Sequence, residues 1–332
     1  MTTVLSRRHL LRSAAAASVL AAMPLAWSPA TRAQDDDAIK VTTTVGMIAD
    51  IVRNVGGDRV AVTGLMGPGV DPHLYKPSAS DVDKLASADI VFYGGLHLEG
   101  RMEDTFEGVS RSGIPTFAVT ADIPEDQLLT AGEQHDPHVW FDVQLWITAT
   151  DTVTNRLADT FPDDADLFRA NAETYRAQLE ELDAYVRTQA ERVPEAQRVL
   201  VTAHDAFQYF GRAYGFEVRG LQGISTASEA GAGDVQELID FIVERQIRAI
   251  FVESSVSPAT IEAVQQGAQA RDWEVTIGGQ LFSDAMGEEG TPEGTYIGMV
   301  TANIDTIVGA LLGEDAGTPE ASPSASREVT HA

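Results

Sequence analysis

Cysteine is absent from all 332 residues, lysine occurs three times (Lys40, Lys76, Lys84) and histidine seven times. Without a thiol the chain has no disulfide, no thiolate metal ligand and no cysteine to carry a lipid; exported proteins can carry disulfides but do not require them. Basic residues are scarce, 23 Lys+Arg against 50 Asp+Glu for a net charge of −27. That balance argues against nucleic acid as a partner, because phosphate recognition needs the opposite sign. An acidic field can also draw cations toward a cleft. Here the acids are scattered along the chain, which favours solubility as their reason.

Long hydrophobic runs are missing too. The one apolar stretch near the start, residues 14–25, is short for a membrane span and contains Pro24. It follows Ser6-Arg7-Arg8-His9-Leu10-Leu11 and precedes Ala30-Thr31-Arg32-Ala33. A charged start, a short apolar core and a small-residue exit describe a cleaved export signal, and the paired arginines suggest the twin-arginine route. Residues 1–33 are therefore expected to be that signal, an uncleaved anchor being the alternative. They hold four arginines and no acid, so the remainder is four charges more negative than the whole. With no lipid acceptor, the expected destination is the periplasm.

What remains, about 300 residues, is enough for two domains. In the first half, strand-like segments (41–45, 60–65, 90–93, 116–119) alternate with helix-like ones (48–55, 79–86, the latter opened by Ser78 or Ser80). The second half repeats the alternation, with strands at 199–202, 218–221, 249–252 and 275–277. Its helices fall at 206–214 (ended by Gly215), 235–244, 258–271 and 296–312. This pattern predicts parallel sheets flanked by helices. Between the halves Phe168, Ala172, Tyr175, Leu179, Leu182 and Val186 step by four and three, one apolar stripe on a long helix, with Pro162 in its first turn and Pro194 past its end. The expected fold class is α/β: an N-terminal lobe (39–161), a bridging helix (162–193) and a C-terminal lobe (198–313), each lobe with its own core. The glycine-free helix acts as a strut that limits hinge motion. Residues 314–332 lack apolar content and are expected to be a disordered tail.

Three histidines and one aspartate stand in distinctive phrases. They are Asp71-Pro72-His73-Leu74-Tyr75, Asp136-Pro137-His138-Val139-Trp140-Phe141-Asp142, Thr202-Ala203-His204-Asp205-Ala206-Phe207 and Leu281-Phe282-Ser283-Asp284. Proline fixes φ and biases the preceding Asp toward an extended form, so the following His is held in one direction. His204 and Asp284 follow strands, at the carboxyl end of a parallel sheet where ligands bind. Three imidazoles and a carboxylate make a closed first shell for a divalent transition metal. One lobe offers His73 and His138, the other His204 and Asp284, across an interlobe cleft. His97 is read as structural and His135 as at most a peripheral ligand; His9 lies in the signal and His331 in the tail. Glu229 and Glu253 follow strands and could accept from ligand N–H groups, but are not counted in the site.

These phrases, with Gly95-Leu96-His97-Leu98-Glu99 and Gly220-Leu221-Gln222-Gly223, resemble the TroA-like zinc/manganese solute-binding receptors of ABC metal importers, from about Ile39 to Leu312. The resemblance implies metal ligation by His73, His138, His204 and Asp284, and two α/β lobes bridged by a long helix. It also implies an inner-membrane permease and a cytoplasmic ATPase as partners. The cargo would be one Zn2+ or Mn2+, with Fe2+ also admitted, and the receptor a monomer. Two departures stand out. Residues 122–134 are short and hold no histidine, where zinc-dedicated members often carry a long His-rich loop. His204 stands where many manganese-selective members have a glutamate. On intrinsic affinity zinc outcompetes manganese at three nitrogens and a carboxylate.

The alternatives are a metal-dependent surface adhesin, a structural zinc protein and a zinc hydrolase. The hydrolase needs an open coordination position and a general base; the chain has no His-Glu-x-x-His helix and no Gly-x-Ser-x-Gly elbow. No enzyme is expected.

Overall fold

The computed structural model describes residues 38–314; the expected export signal, and the expected tail beyond its first residue, lie outside them. Alternating β-branched residues start the fold. β1 (Ile39–Thr43) runs parallel to β2 (Val60–Gly64) on one side and β3 (Ile90–Tyr93) on the other, with Val41 level with Val62 and Ile90. β4 (Thr116–Ala118) adds to β3, giving a parallel sheet in the order β2-β1-β3-β4. The crossovers carry helices α1 (Gly46–Gly56), α2 (Ala79–Ala86) and α3 (Glu103–Arg111). α1 buries Met47, Ile48, Ile51, Val52 and Val55, one face at helical spacing. α2 starts at Ser78, not Ser80, through a reciprocal capping box with Asp81.

Like α3, the next two elements have no counterpart among the segments read from the sequence. A short hairpin, β5 (Thr130–Ala131) with β6 (Gln134–His135), occupies part of the stretch read as a plain loop. Helix α4 (Val143–Thr160) is then capped by the Asp142 carboxylate, which accepts from the Gln144 N–H.

The long helix is α5 (Ala165–Arg192), entered by a 3-10 turn at Pro162–Asp164. Its 28 residues span about 42 Å. Phe168, Ala172, Tyr175, Leu179, Leu182 and Val186 are all buried, each large side chain stabilising by about 1.5–3 kcal/mol. Polar contacts register α5 against its neighbours. Tyr175 donates to Asp50 of α1 at 2.8 Å, and Gln144 of α4 donates to Asp183 at 3.1 Å.

The second half places β7 (Val199–His204) parallel to β8 (Glu217–Gln222), and β9 (Ala249–Glu253) parallel to β10 (Thr276–Leu281). β7 also lies alongside β9, so two parallel pairs stand edge to edge, unlike the single four-stranded ladder of the first half. β7 runs through His204, two residues beyond the expected strand end. Helices α6 (Gln208–Tyr214), α7 (Ala232–Arg245), α8 (Ala259–Gln269) and α9 (Tyr296–Leu312) complete it, α6 closing on the left-handed Gly215.

The expectation of two separate cores is not met. The larger apolar core runs from the first sheet through α4 and α5 into Phe207, Tyr209, Phe251, Leu281 and the buried face of α9. A smaller one, Val201, Ile239, Ile250, Ile261 and Val264 among others, fills the far side of the second half. Among the described residues no helix is long and apolar enough to cross a membrane.

Candidate metal centre

The four residues singled out in the sequence come together where the carboxyl ends of the two halves' strands face each other. Their ligand atoms lie within 4.8 Å of one another, and all four residues are buried. His73 Nε2 is 3.3 Å from His138 Nε2, which is 3.4 Å from His204 Nε2. The Asp284 carboxylate lies against all three: Oδ2 is 3.5 Å from His73 Nε2 and 3.3 Å from His204 Nε2, and Oδ1 is 3.5 Å from His138 Nε2. A tetrahedral ion with bonds of ~2.0–2.1 Å holds its donors ~3.3–3.4 Å apart. These approaches of 3.3–3.5 Å are close to that spacing, within a cluster whose ligand atoms all lie inside 4.8 Å of one another.

The ring orientations follow from carboxylates behind them. His138 Nδ1 donates to Asp136 Oδ1 at 2.7 Å, and His204 Nδ1 to Glu253 Oε2 at 2.5 Å. A proton held on Nδ1 leaves the Nε2 lone pair free to bind a cation. Glu253 also accepts from the His204 backbone N–H at 2.8 Å, fixing the end of β7. Glu229, the other carboxylate considered, is exposed and does not reach the site. Asp136 was passed over as an acceptor, although its signal is plain: an aspartate two residues before each of the first two histidines.

Asp284 is reached from β10 by the turn through Phe282. Asn303 of α9 clamps that turn from both sides, accepting from Phe282 N at 2.9 Å and donating to Phe282 O at 2.7 Å. Trp140 Nε1 donates to Ser283 O at 3.1 Å, tying the His138 phrase to the Asp284 turn. Phe141 stacks on Phe207 with centroids 4.2 Å apart. Gly220 lies so close to the chain after His204 that a Cβ there would meet Asp205 N at 2.5 Å, which accounts for its place in the Gly-Leu-Gln-Gly phrase.

The electrostatics are those of a cation site. Both oxygens of the fully buried Asp284 lack a hydrogen-bond donor, and a buried polar atom without a partner is costly. Burial pushes the Asp284 carboxyl up, but His204, His138 and His73 together hold it well below the usual carboxylate range. Burial holds the His73 imidazole down, to about 4, so it is neutral near pH 7. Burial also lowers His204, but Glu253 and Asp284 outweigh it and hold the ring well above its ordinary value.

His97 and His135 are elsewhere. Both line a separate cavity of about 920 Å³ on the first half, which contains none of the four clustered residues. His97 pairs with Glu103 near the surface. The Gly-Leu-His-Leu-Glu phrase is anchored by its last member: the buried Glu99 carboxylate accepts from Thr44 Oγ1 at 2.6 Å and Gly94 N at 2.8 Å. That anchor holds a turn in which Leu96 and His97 have φ of 53° and 65°.

Comparison with known proteins gives the family and the fold. Residues 41–310 match the family described as zinc-uptake complex component A, periplasmic (ZnuA). The manganese-binding lipoprotein MntA of Bacillus subtilis is 54% identical over 278 residues, covering 83% of this chain and 90% of that protein. The zinc-binding protein TroA of Treponema pallidum is 54% identical over 272 residues, covering 82% and 88%. A solved structure of periplasmic zinc-binding TroA from Treponema pallidum superposes with a TM-score of 0.81 at 53% identity, covering 82% of this chain and 99% of that one.

Proposed function

The chain belongs to the ZnuA family of periplasmic zinc-uptake components, and on that footing we propose that it captures one divalent transition ion at His73, His138, His204 and Asp284 and delivers it to an ABC importer. The observation that carries this reading is the pair of buried, unpartnered Asp284 oxygens facing three imidazole nitrogens at 3.3–3.5 Å. The cargo is Zn2+ or Mn2+, the ions for which its two 54%-identical relatives are named. Three nitrogens and one carboxylate give zinc the higher intrinsic affinity.

Capture proceeds with little rearrangement of His138 and His204, whose rings are already oriented by Asp136 and Glu253. The ion competes with protons for the imidazole nitrogens and neutralises Asp284. Closure of the shell by ligands from both halves makes dissociation slow, so delivery needs a membrane permease, powered by a cytoplasmic ATPase, to disturb one half. The working division is two lobes, residues 39–161 and 198–313, joined by 162–193. The protein acts as a monomeric receptor outside the cytoplasm, in the periplasm after export by the twin-arginine route, and not as an enzyme. The relatives fit the receptor reading and not the adhesin, structural-zinc or hydrolase alternatives.

The test is the metal content of the protein isolated from its native compartment, measured by mass spectrometry, with zinc and manganese competing for the metal-free form. One equivalent of zinc or manganese supports the reading, and zinc is expected to bind far more tightly. No metal in the isolated protein and no binding by the metal-free form would overturn it.

A further inference from the structure

The four clustered residues are not equally enclosed. His138, His204 and Asp284 are 0–1% exposed, while His73 is 5% exposed and its neighbour Leu74 is 41% exposed. Trp140, whose ring packs edge-on against His138 with centroids 5.2 Å apart, is buried, and so are Phe207 and Ser283, near His204 and Asp284 in the chain. An ion leaving the site therefore passes His73, and the loop from Gly67 to Tyr75 has to move.

Besides His73 itself, the loop meets the opposite half at two places. Gly69, at φ 70°, sits close enough to Ser254 that a Cβ would lie 3.5 Å from its carbonyl oxygen. The second contact is a side-chain hydrogen bond: Thr226 Oγ1 donates to Asp71 Oδ2 at 2.5 Å. Thr226 belongs to the connection from β8 to α7, residues 223–231. Its neighbours Ala227, Ser228 and Glu229 are exposed, yet Thr226 itself is only 8% exposed, turned inward onto Asp71. The other oxygen of Asp71 accepts from the His73 backbone N–H at 2.8 Å. One carboxylate thus joins the turn that aims His73 to a hydroxyl from across the cleft.

We infer that Thr226 and Asp71 form a release latch that sets how fast the bound ion escapes. This rests on His73 being a metal ligand. While the bond is made, the His73 turn is tied to the second half; once it breaks, the turn can swing outward with its imidazole. Thr226 touches neither the ion nor its ligands, so it is a positioning residue.

The experiment loads the full chain with zinc and follows its loss to an excess of chromophoric chelator by stopped flow. Thr226→Val keeps the shape and removes the hydroxyl. Its off-rate is expected to rise about tenfold, what one net hydrogen bond contributes. The on-rate should stay within about twofold, since affinity changes of this kind fall mainly on dissociation. Thr226→Ser restores the hydroxyl and should restore the slow rate. An unchanged off-rate in Thr226→Val overturns the latch, and so does an equal rise in Thr226→Ser, which would mean that packing is what matters. Failure of the unsubstituted chain to bind zinc is a different result: it overturns the receptor reading on which the latch rests.

Discussion

The same tripeptide, Asp-Pro-His, occurs at residues 71–73 and 136–138, and the structure puts the two copies to different uses. In both, the aspartate Oδ1 accepts from the histidine backbone N–H, at 2.8 and 3.0 Å. There the likeness ends. Asp136 is buried, its Oδ1 also takes the His138 Nδ1 proton, and Tyr209 from the second half donates to its carbonyl at 2.9 Å. Asp71 spends its second oxygen on Thr226, and among the described residues no carboxylate reaches His73 Nδ1. The proline-locked turn aims both rings; what surrounds each turn decides whether the ring is clamped or merely aimed. In the proposed site His138, His204 and Asp284 make the enclosed side, and His73 stands at the more exposed edge.

Substitutions that break this contrast have effects of graded size. Asp284→Ala removes the carboxylate of the enclosed side and should lower zinc affinity by a hundredfold or more. That is about 2.7 kcal/mol, roughly a sixth to a quarter of the ~10–16 kcal/mol that a four-ligand structural zinc site supplies. Chelator competition on the folded protein measures it, and His73→Ala in the same assay should cost less, because the other three ligands keep their supports. An equal or larger loss in His73→Ala would erase the distinction between enclosed side and exposed edge. Glu253→Gln leaves His204 in place but weakens its orientation, and should cost about 10–100-fold in affinity by calorimetric titration.

The pH dependence sharpens the same contrast. Burial alone lowers both His73 and His204, but Glu253 and Asp284 reverse the sign at His204. In the metal-free protein a proton is therefore held more tightly at His204 than at His73. Proton and metal compete for the same nitrogen, so affinity should rise with pH, by about tenfold per unit while one proton is displaced. Titrations at pH 7 in buffers of different ionisation enthalpy should report release of about one proton, traceable to the enclosed side. The smallest effect expected is none: His97→Ala should leave zinc affinity unchanged, because that ring faces Glu103 and a different cavity.

Much of this was legible in the residues. Strand alternation, the Ser78 cap, the stripe from Phe168 to Val186 and the four phrases bearing the site each rest on local spacing, and the structure places them at or near where that spacing puts them. Helix α4 was not legible for a physical reason. Its β-branched threonines disfavour a helix and blur the 3.6 period. In the fold, Thr150, Thr152 and Thr154 satisfy their hydroxyls on the carbonyls four residues back, and Trp146, Val153 and Leu157 bury against the core. Tertiary packing overrides propensity there. The larger core shared by both halves is not legible for a related reason: the long helix reads as a strut between lobes, while α4, α5 and α9 together cement them. Asp71 and Asp136 share one spacing to their histidines, but only Asp136 takes the ring proton, and the Asn303 clamp behind Asp284 comes from a contact 21 residues away; spacing shows the candidates and not which of them engages.

The central claim is that a single divalent ion sits among His73, His138, His204 and Asp284. Anomalous diffraction from a crystal of the zinc-loaded chain, collected on both sides of the zinc edge, tests it most directly. One peak bounded by the three Nε2 atoms and the Asp284 carboxylate is the predicted result. A peak at His97 and Glu103, or an empty site between the two halves, would contradict the account.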